Sequence, residues 1–349
     1  MHPVAAMLCA ILGTASAATS MSSVQFYGST FPLTTEVVDL VNVTPTDLAP
    51  LAALTRLREL RIVQTNPHRS PVGLPFDLTP LAKLNQLEVV VLPKLPVADL
   101  EPLRGLHRLR ELDVSDTRID DLAPLQGATT LRVLRLRGTV ARTLEPLRGL
   151  TELAVLDAAR TKVTDLAPLS GLRHLAELHI EGTGVADLAP LRHLDALVAL
   201  TLDGTPIDSL KVLRDLKWFR SAVRLDLNDT RLVDIAGLES AHDVTELSLF
   251  NTRVANLGPV AHLRELRVLR LDHTPVTDLG PLAKLQRLEK LSLADTPVRS
   301  LAALHGLHRL RSVDIEGVPV TAAEIAALKT ALPTVEIVGA AAPSLPSKR

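Results

Sequence analysis

Apolar residues recur along most of this chain in one repeated order, with polar residues in the positions between them. The stretch "LHRLRELDVSDTRIDDLAPL" (106–125) returns as "LRHLAELHIEGTGVADLAPL" (172–191) and "LRELRVLRLDHTPVTDLGPL" (263–282). In each, two aliphatic residues flank one polar residue, and this period of two predicts a short strand with its leucines facing inward. The Asp-Leu-x-Pro-Leu-x-x-Leu segment that follows has apolar spacings of three and four residues, which predict a short helical turn.

The repeat has an almost constant length. A proline column advances by 22 residues per step from Pro80 to Val212 and again from Gly237 to Ala303, with one step of 25 residues between these stretches. A threonine column keeps the same intervals: Thr117, Thr139, Thr161, Thr183, Thr205, Thr230, Thr252, Thr274 and Thr296. Such a period predicts a solenoid, because one unit cannot bury its apolar face without its neighbours. Stacked units would pair their strands in parallel and share one leucine core.

The predicted helical turns begin with residues that suit such a position. An aspartate stands where an N-cap is needed in several units: Asp99, Asp121, Asp165, Asp187 and Asp278. An N-cap side chain accepts one of the unpaired backbone N–H groups of the first turn. The proline falls within that turn, where its missing N–H loses no hydrogen bond. Each unit is therefore predicted to be a strand, a turn, a short 3₁₀ or α turn, and a return.

The consensus L-x-x-L-x-L-x-x-T-x-V-x-D-L-x-P-L-x-x-L resembles the bacterial leucine-rich repeats of the internalin-like, 22-residue class over about residues 35–320. The resemblance implies an α/β fold: a right-handed horseshoe solenoid with a parallel sheet on its concave face and short 3₁₀ or α turns on its convex face. It also implies a protein-binding role. The asparagine usual in that class, whose side chain bonds the backbone of neighbouring loops, is mostly threonine here. We expect the hydroxyl to replace part of that bonding and to leave a looser turn.

The chain is predicted to divide into five parts: a signal peptide at 1–17, an N-terminal cap at 18–34, an array of about 13 strands at 35–320, a helix-and-strand cap at 321–339 and a disordered tail at 340–349. Caps are expected because the terminal units of a solenoid must cover their apolar faces. Phe26, Tyr27 and Phe31 are the predicted apolar fillers of the first cap. A helix from Ala322 to Leu332 and a final strand are predicted for the second.

The first 17 residues, "MHPVAAMLCAILGTASA", are typical of a secretory signal peptide, although the segment before the apolar run has no lysine or arginine. The run from Val4 to Leu12 leads to Ala-Ser-Ala, a small-residue pattern suited to cleavage. Export to the periplasm or the exterior of a bacterium is therefore predicted. Translation from Met21 is the alternative, and it would give a cytoplasmic protein.

Two units depart from the repeat length. Between Thr65 and Pro80 the chain has eight extra residues, and the Pro-rich segment 66–75 is either a contact loop or a tolerated surface insertion. The 25-residue unit contains Trp218 and Phe219, which we expect to lie in a convex insertion. Filling the core is the favoured role for these two rings, and binding a partner is the alternative.

Composition excludes several classes of function. Lys and Arg (38) nearly balance Asp and Glu (39), and aromatic residues make up 2% of the chain, so a nucleic-acid surface is not expected. The single cysteine, Cys9, rules out a disulfide framework or a cysteine metal site in the mature chain. No later segment has the roughly 20 apolar residues of a membrane helix. No catalytic or phosphate-binding motif is present, so neither enzymatic activity nor a cofactor is expected.

The strand positions between the leucines are predicted to line the concave face, and an acidic group lies near the middle of the array. Its members are Asp157, Glu177, His179, Glu181, Asp203 and Asp226. This patch either binds a basic partner or is a solvated face balanced by Arg135, Arg137 and Arg224. A divalent-cation site is disfavoured, because one histidine among scattered carboxylates lacks ligand spacing. Phe250 is the one aromatic residue predicted on this face, where it would suit a contact anchor.

These patterns predict a non-enzymatic protein-interaction module that binds an unidentified protein partner on its concave face. We expect it to be a monomer, without nucleic acid, cofactor, metal or membrane span, and to work outside the cytoplasm. The alternative is a cytoplasmic regulatory scaffold that docks an enzyme, which would follow if translation starts at Met21.

Overall fold

The computed structural model describes residues 22–43, 47–64 and 76–339. The predicted signal peptide, the predicted tail and the 66–75 insertion lie outside these residues. The strands are β1 (Ser23–Phe26), β2 (Ser29–Pro32), β3 (Val37–Val41), β4 (Glu59–Val63), β5 (Val89–Val91), β6 (Glu111–Asp113), β7 (Val133–Arg135), β8 (Val155–Asp157), β9 (Glu177–His179), β10 (Ala199–Thr201), β11 (Arg224–Asp226), β12 (Glu246–Ser248), β13 (Val268–Arg270), β14 (Lys290–Ser292), β15 (Ser312–Asp314) and β16 (Glu336–Val338).

Short 3₁₀ turns return the chain from one strand to the next along the convex side. They are Ala49–Ala53, Thr79–Leu81, Glu101–Leu103, Ala123–Leu125, Glu145–Leu147, Ala167–Leu169, Ala189–His193, Leu213–Asp215, Leu238–Ser240, Gly258–His262, Gly280–Lys284 and Ala302–Leu304. The two α-helices of the described residues are α1 (Lys217–Arg220) and α2 (Ala322–Ala331).

The strands pair in parallel, each with the next in the sequence, as the repeat predicts. Strands β3 to β10 form an eight-stranded sheet and β11 to β16 a six-stranded sheet. Equivalent residues of successive units are direct partners; Leu156 of β8, for example, lies opposite Leu178 of β9. This constant register places each position of the repeat in a column that crosses the sheet, and it confirms the predicted leucine-rich-repeat solenoid.

The leucines of the repeat form one aliphatic core behind the sheet. Leu156, Leu178 and Leu191 have no exposed surface, and the same holds for most leucines in their columns. Burial of one such side chain stabilises the folded chain by about 1.5–3 kcal/mol. Each leucine contacts the coils before and after its own, so this stabilisation belongs to the stack and not to any single coil.

The convex turns begin one residue later than predicted. The N-cap is the leucine that follows the aspartate, as in Leu122, and it makes no side-chain cap bond. The Asp121 carboxylate instead accepts the backbone N–H of Ala123 at 2.8 Å, two residues on. The aspartates of the other units do the same: Asp99, Asp165, Asp187, Asp234 and Asp278. An Asx turn therefore sets up a 3₁₀ turn of three to five residues, which is too short to need an α-helical N-cap.

The buried threonines of the column close their own coil, except Thr139, whose hydroxyl has no hydrogen-bond partner among the described residues. This corrects the expectation that the threonines bond neighbouring loops. The Thr117 hydroxyl donates to the carbonyl of Val114, three residues earlier, at 2.7 Å. Seven more threonines make the equivalent bond: Thr161, Thr183, Thr205, Thr230, Thr252, Thr274 and Thr296. The bond between coils comes from the backbone one residue later, where the Arg118 N–H donates to Val97 at 2.9 Å.

The residue before each threonine has a left-handed backbone. Its φ is +56° at Asp116 and +52° at Asn251, and Gly204 in the same column has φ +66°. Only glycine enters this region without steric cost, while aspartate and asparagine tolerate it better than other residues. Arg160 and His273 adopt it as well, so the stack holds even unfavourable residues in this turn.

The parallel ladder stops between β10 and β11, in the 25-residue unit. No strand pairing joins these two strands in the part of the chain that the structure describes. Four polar contacts still cross the boundary: the Gly204 N–H donates to Asn228 at 2.8 Å, Ser209 bridges Asp234, Lys211 pairs with Asp234, and the Ser240 hydroxyl donates to the Arg214 carbonyl at 3.3 Å. We call this boundary the seam. The extra residues form α1, where Phe219 is fully buried and Trp218 is half-buried.

Both described ends of the array carry extra elements. Strands β1 and β2 form an antiparallel hairpin in which Phe26 is buried and Phe31 packs partly on the core, whereas Tyr27 is 43% exposed. At the other end, the Thr321 side chain accepts the Glu324 N–H and caps α2. The Glu324 carboxylate then accepts the Leu301 N–H at 2.7 Å, which ties the helix to the preceding coil.

Two substitutions on one strand should distinguish the contribution of the buried core to stability from that of the concave surface. Leu178→Ala removes a fully buried side chain between two paired strands, and we expect the free energy of unfolding to fall by about 2–5 kcal/mol. Glu177→Ala, one residue earlier on the same strand, should change it by no more than about 0.5 kcal/mol. Urea titration followed by circular dichroism measures both. Equal stabilities for the two variants would contradict the register described above.

Candidate functional site

Three columns of side chains cross the sheet on its concave side. The first holds the opening residue of each strand, the second the residue between the two leucines, and the third the residue that follows the second leucine. The predicted site residues are divided among them: Glu177 in the first, Asp157, His179 and Asp226 in the second, and Glu181, Asp203 and Phe250 in the third.

Arg137 lies between two of the predicted acidic residues. Its guanidinium donates a short hydrogen bond to the Glu181 carboxylate, two coils away, and comes within 4.0 Å of Asp157. The Glu181 carboxylate also accepts a short hydrogen bond from the Thr201 hydroxyl. These carboxylates are well covered, with side chains 17% exposed for Asp157 and 15% for Glu181. The structure therefore neutralises this half of the patch internally.

Burial and hydrogen bonding shift the pKa of each of the two carboxylates beside Arg137 in opposite directions. Burial raises the pKa of Asp157, and the bond from the Ala159 N–H and the charge of Arg137 offset it only in part. Burial also acts to raise the pKa of Glu181, but the hydrogen bonds from Thr201 and Arg137 together outweigh it and leave that pKa lowered. Glu181 is thus the carboxylate that the arginine holds ionised.

His179 connects the patch to its first column. Its Nδ1 lies 3.3 Å from the Thr201 hydroxyl, and its Nε2 lies 3.9 Å from the Glu177 carboxylate. Glu177 is more exposed than the other acidic residues, with a side chain 47% exposed. The histidine is therefore engaged by one neighbour on its own strand and one on the adjacent strand.

Asp203 and Asp226 face the solvent on opposite sides of the seam. Burial raises the pKa of Asp203, and the negative charges of Asp226 and Glu181 raise it further. In the described residues neither carboxylate has a cation within salt-bridge distance. Asp203 is therefore harder to ionise than a free aspartate, although its backbone hydrogen bond and the charge of Arg137 act in the opposite direction, and a positive charge placed between the two carboxylates would favour its ionised form.

Three arginines are expected to balance the patch, and two of them pair with residues outside it. Arg135 donates to Glu111 at 2.7 Å, and Arg224 pairs with Glu246 at 3.3 Å. Only Arg137 contacts the acidic group. The balance that the sequence suggested therefore gives one half of the patch an ion pair, whereas Asp203 feels the charge of Arg137 only at longer range.

Phe250 lies in the third column, beyond the seam, and is half-buried. Its ring meets the His273 ring edge-on with centroids 5.2 Å apart, and its backbone N–H donates to the Asn228 side chain at 2.9 Å. The ring is thus fixed by adjacent coils and shows part of its surface beside Asp226 and Asn228. This arrangement suits a contact residue that is ordered before binding.

Sequence reasoning missed a fourth column, formed by the residue just before each strand, which we call the upstream column. At one end Arg58 and Arg110 both pair with Glu88, and at the other Arg267 and Arg311 both approach Glu289. In the middle the column is apolar: Ala154, Ala176, Val198 and Val223. The change from charged to apolar residues along this column was visible in the sequence. It matters because the apolar stretch includes the two residues, Val198 and Val223, that lie on either side of the seam.

The described residues hold no group of three or more histidine, cysteine, aspartate or glutamate side chains placed to bind a metal. They also include no helix long and apolar enough to cross a membrane. What the concave site offers is a surface of fixed polar groups with one unbalanced pair of carboxylates.

The raised pKa of Asp203 predicts a pH-dependent gain from Asp203→Asn. The pKa of Asp203 is higher in the folded protein than in the unfolded chain, so ionisation of this residue lowers the free energy of unfolding. The loss appears as the pH rises above the ordinary aspartate pKa of about 3.9. We expect the variant to be more stable than wild type at pH 7, by up to about 1 kcal/mol for a partly exposed charge, and equal to it at pH 3. The exposed Asp208→Asn serves as control in urea titrations at both pH values. A variant less stable than wild type at pH 7 would contradict the assignment.

Comparison with solved structures places this architecture among known folds. No protein-family model and no curated protein matches the chain. The chain is similar to an internalin (InlF) from Listeria monocytogenes, with 19% identity, a TM-score of 0.76, and coverage of 90% of this chain and 91% of that one. It is also similar to a leucine-rich-repeat protein of Leptospira interrogans, with 17% identity, a TM-score of 0.61, and coverage of 86% and 94%.

A third similar structure is the plant peptide hormone receptor RGFR1 in complex with RGF2. It has 14% identity and a TM-score of 0.66, with coverage of 88% of this chain and 55% of that one. At these identities the likeness concerns the fold. The chain thus has the leucine-rich-repeat solenoid fold seen in bacterial internalin-like proteins.

Proposed function

We propose that this protein is a recognition module that binds a basic segment of a protein partner on its concave face. The observation that carries the proposal is the pair Asp203 and Asp226, two carboxylates at the seam without a cation among the described residues. Asp203 is half-buried and its pKa is raised by burial and by like charges. A lysine or arginine side chain between the two would offset the repulsion between the carboxylates and favour their ionised forms.

The rest of the site supports the same kind of partner. Glu181, Arg137 and Thr201 are already bonded to one another, so they need little reordering when a partner binds. Phe250, ordered by His273 and Asn228, adds an apolar contact beside the acidic pair. A basic side chain with an apolar neighbour is the chemistry that these groups fit best.

The geometry favours binding over catalysis. The concave residues lie on an open sheet face and not in a cleft that excludes water, and such exclusion strengthens the electrostatic interactions on which many catalytic sites rely. The polar groups of the site bond mainly to one another, and His179 is engaged by Thr201 and Glu177. The plant receptor solved in complex with its ligand has the same fold, and by analogy it supports a binding role here.

We further propose that the protein works outside the cytoplasm of a bacterium, as a secreted or periplasmic module. Its signal-like N-terminal segment supports this location, and so does its likeness to an internalin. The cytoplasmic scaffold that docks an enzyme remains the alternative if translation begins at Met21.

Site-specific crosslinking tests the binding face. A photoreactive residue at Thr201, between His179 and Glu181, should crosslink a protein from the native host's extracellular or periplasmic fraction. The same residue at the convex, exposed Arg192 should crosslink none of it. Asp203→Lys/Asp226→Lys should reduce the yield at least tenfold, because two like charges then face a basic partner. The exposed pair Asp120→Lys/Asp208→Lys is the matched control. Equal yields from the two double variants would remove the acidic pair from the function.

N-terminal sequencing of the protein isolated from its host tests the location. Export predicts a mature chain that begins at Ala18, after cleavage behind Ala17. A chain that begins at Met21 and is recovered from the cytoplasm would support the scaffold alternative instead. The two starting residues differ by three positions, so a single Edman run or peptide map separates them.

A further inference from the structure

We propose that the upstream end of the seam is a second binding element: a groove that takes an extended segment of a protein partner as an added strand between β10 and β11. The groove is lined by Leu197, Val198, Trp218, Ala222 and Val223, together with polar groups at its rims, and encloses about 420 Å³. This inference extends the proposed function, because it names the conformation of the bound partner and a place where it enters.

The first argument is the unmade backbone pairing. At a regular boundary the Ala176 carbonyl accepts the N–H groups of Val198 and Ala199, at 2.8 and 3.1 Å. At the seam the equivalent acceptor is the Val198 carbonyl and the equivalent donors are the N–H groups of Val223 and Arg224. In the described chain no backbone hydrogen bond joins them. Both edges therefore present main-chain groups in the arrangement that an added strand satisfies.

The second argument is the shape of the seam. Its downstream end is closed by the bond from Gly204 to Asn228 and by the bridge from Ser209 to Asp234. Its upstream end has no such contact between the described residues of the two coils. The groove lies at this unbonded end, where Val198 and Val223 stand, and it ends where the turns meet. A chain parallel to the strands fits this end, donating to Val198 and accepting from Val223 and Arg224.

The third argument is the surface of the groove. Val198 is 64% exposed and Val223 is 59% exposed, the two largest values among the exposed aliphatic residues described. They lie in the one stretch of the upstream column without charges, and the half-buried Trp218 forms the convex wall. An apolar side chain of the added segment would cover these three residues and remove their apolar surface from water, which favours binding.

The size and charge of the groove define the occupant. A volume of about 420 Å³ is within the range of roughly 300–1,000 Å³ for ligand pockets, and it admits a short stretch of chain but no folded domain. Complete coils flank the groove on both sides. A second copy of the chain could not insert a strand there, because its end strands are attached to their own arrays. The occupant is therefore a free extended segment. Asp195 and Lys217 at the rims favour a basic residue towards one end of it and an acidic residue towards the other.

The groove is continuous with the acidic pair. Val198 lies just before β10, whose concave continuation reaches Asp203, and Val223 lies just before β11, which ends at Asp226. A segment that pairs in the groove can therefore extend onto the concave face and place a basic side chain between the two carboxylates. One partner chain would then use both elements.

The test uses the full chain and a displayed library of random eight-residue peptides, with enriched peptides synthesised for titration. We expect apolar peptides whose affinity falls at least tenfold for Val198→Asp/Val223→Asp. Val140→Asp/Val233→Asp, in which two other exposed valines are replaced, should stay within twofold of wild type. N-methylation of a central peptide amide should also cost at least tenfold, because it removes a main-chain donor. Circular dichroism checks that each variant is folded.

Amide hydrogen exchange supplies an independent readout. In the free chain the amides of Val223 and Arg224 should exchange much faster than those of Val198 and Ala199, and bound peptide should slow them at least tenfold. Protected amides at Val223 and Arg224 in the free chain would overturn the inference. So would a library without enriched peptides, or peptides indifferent to the groove variant or to N-methylation.

The two proposals can fail separately. If the crosslink from Thr201 depends on Asp203 and Asp226 while the groove variant has no effect on any ligand, the concave site stands and the added strand does not. If peptides bind in the groove while the crosslink ignores both carboxylates, the groove stands without the basic segment proposed for the concave face.

Discussion

The structure depends on aliphatic burial between successive coils. A single 22-residue unit presents leucines on its inner side but has no opposing surface of its own, so its core exists only where the next coil covers it. The fully buried columns that contain Leu156, Leu178 and Leu191 show how complete this coverage is. Because the leucines carry the stability, the residues between them are free to carry recognition.

Burial between coils also explains why the turns tolerate residues with an unfavourable backbone conformation. Arg160 and His273 hold a left-handed backbone at a cost of about 1–2 kcal/mol each, and the coils on either side outweigh it. The threonine hydroxyl and the Asx turn then satisfy polar groups within each coil. These polar groups of the turns are thus bonded within one coil, whereas the strand backbone and the leucine core are completed only by the neighbouring coils.

The sequence alone was sufficient for the fold and for the columns of the sheet, because the leucine spacing is strict and the register follows from it. It also predicted which acidic side chains lie on the concave face, since the alternation of side chains along a strand decides which of them face that side. It could not show that Arg137 pairs across two coils with Glu181 while Arg135 and Arg224 turn away, because long side chains have several reachable partners. Nor could it show that three extra residues near Trp218 interrupt the ladder, since an insertion in one coil is accommodated by backbone geometry that no residue pattern specifies.

The seam also bears on the mechanics of the whole solenoid. Rigidity in a stack of this kind comes from nearest-neighbour coupling, and at one boundary that coupling lacks strand pairing and rests on the shared aliphatic core, a few turn contacts and the ion pair of Lys211 with Asp234. Tension applied along the axis would concentrate there, and so would thermal bending. The eight-stranded and six-stranded portions would then behave as two stiff arms joined by a compliant joint, whose angle sets the curvature offered to a ligand that spans both.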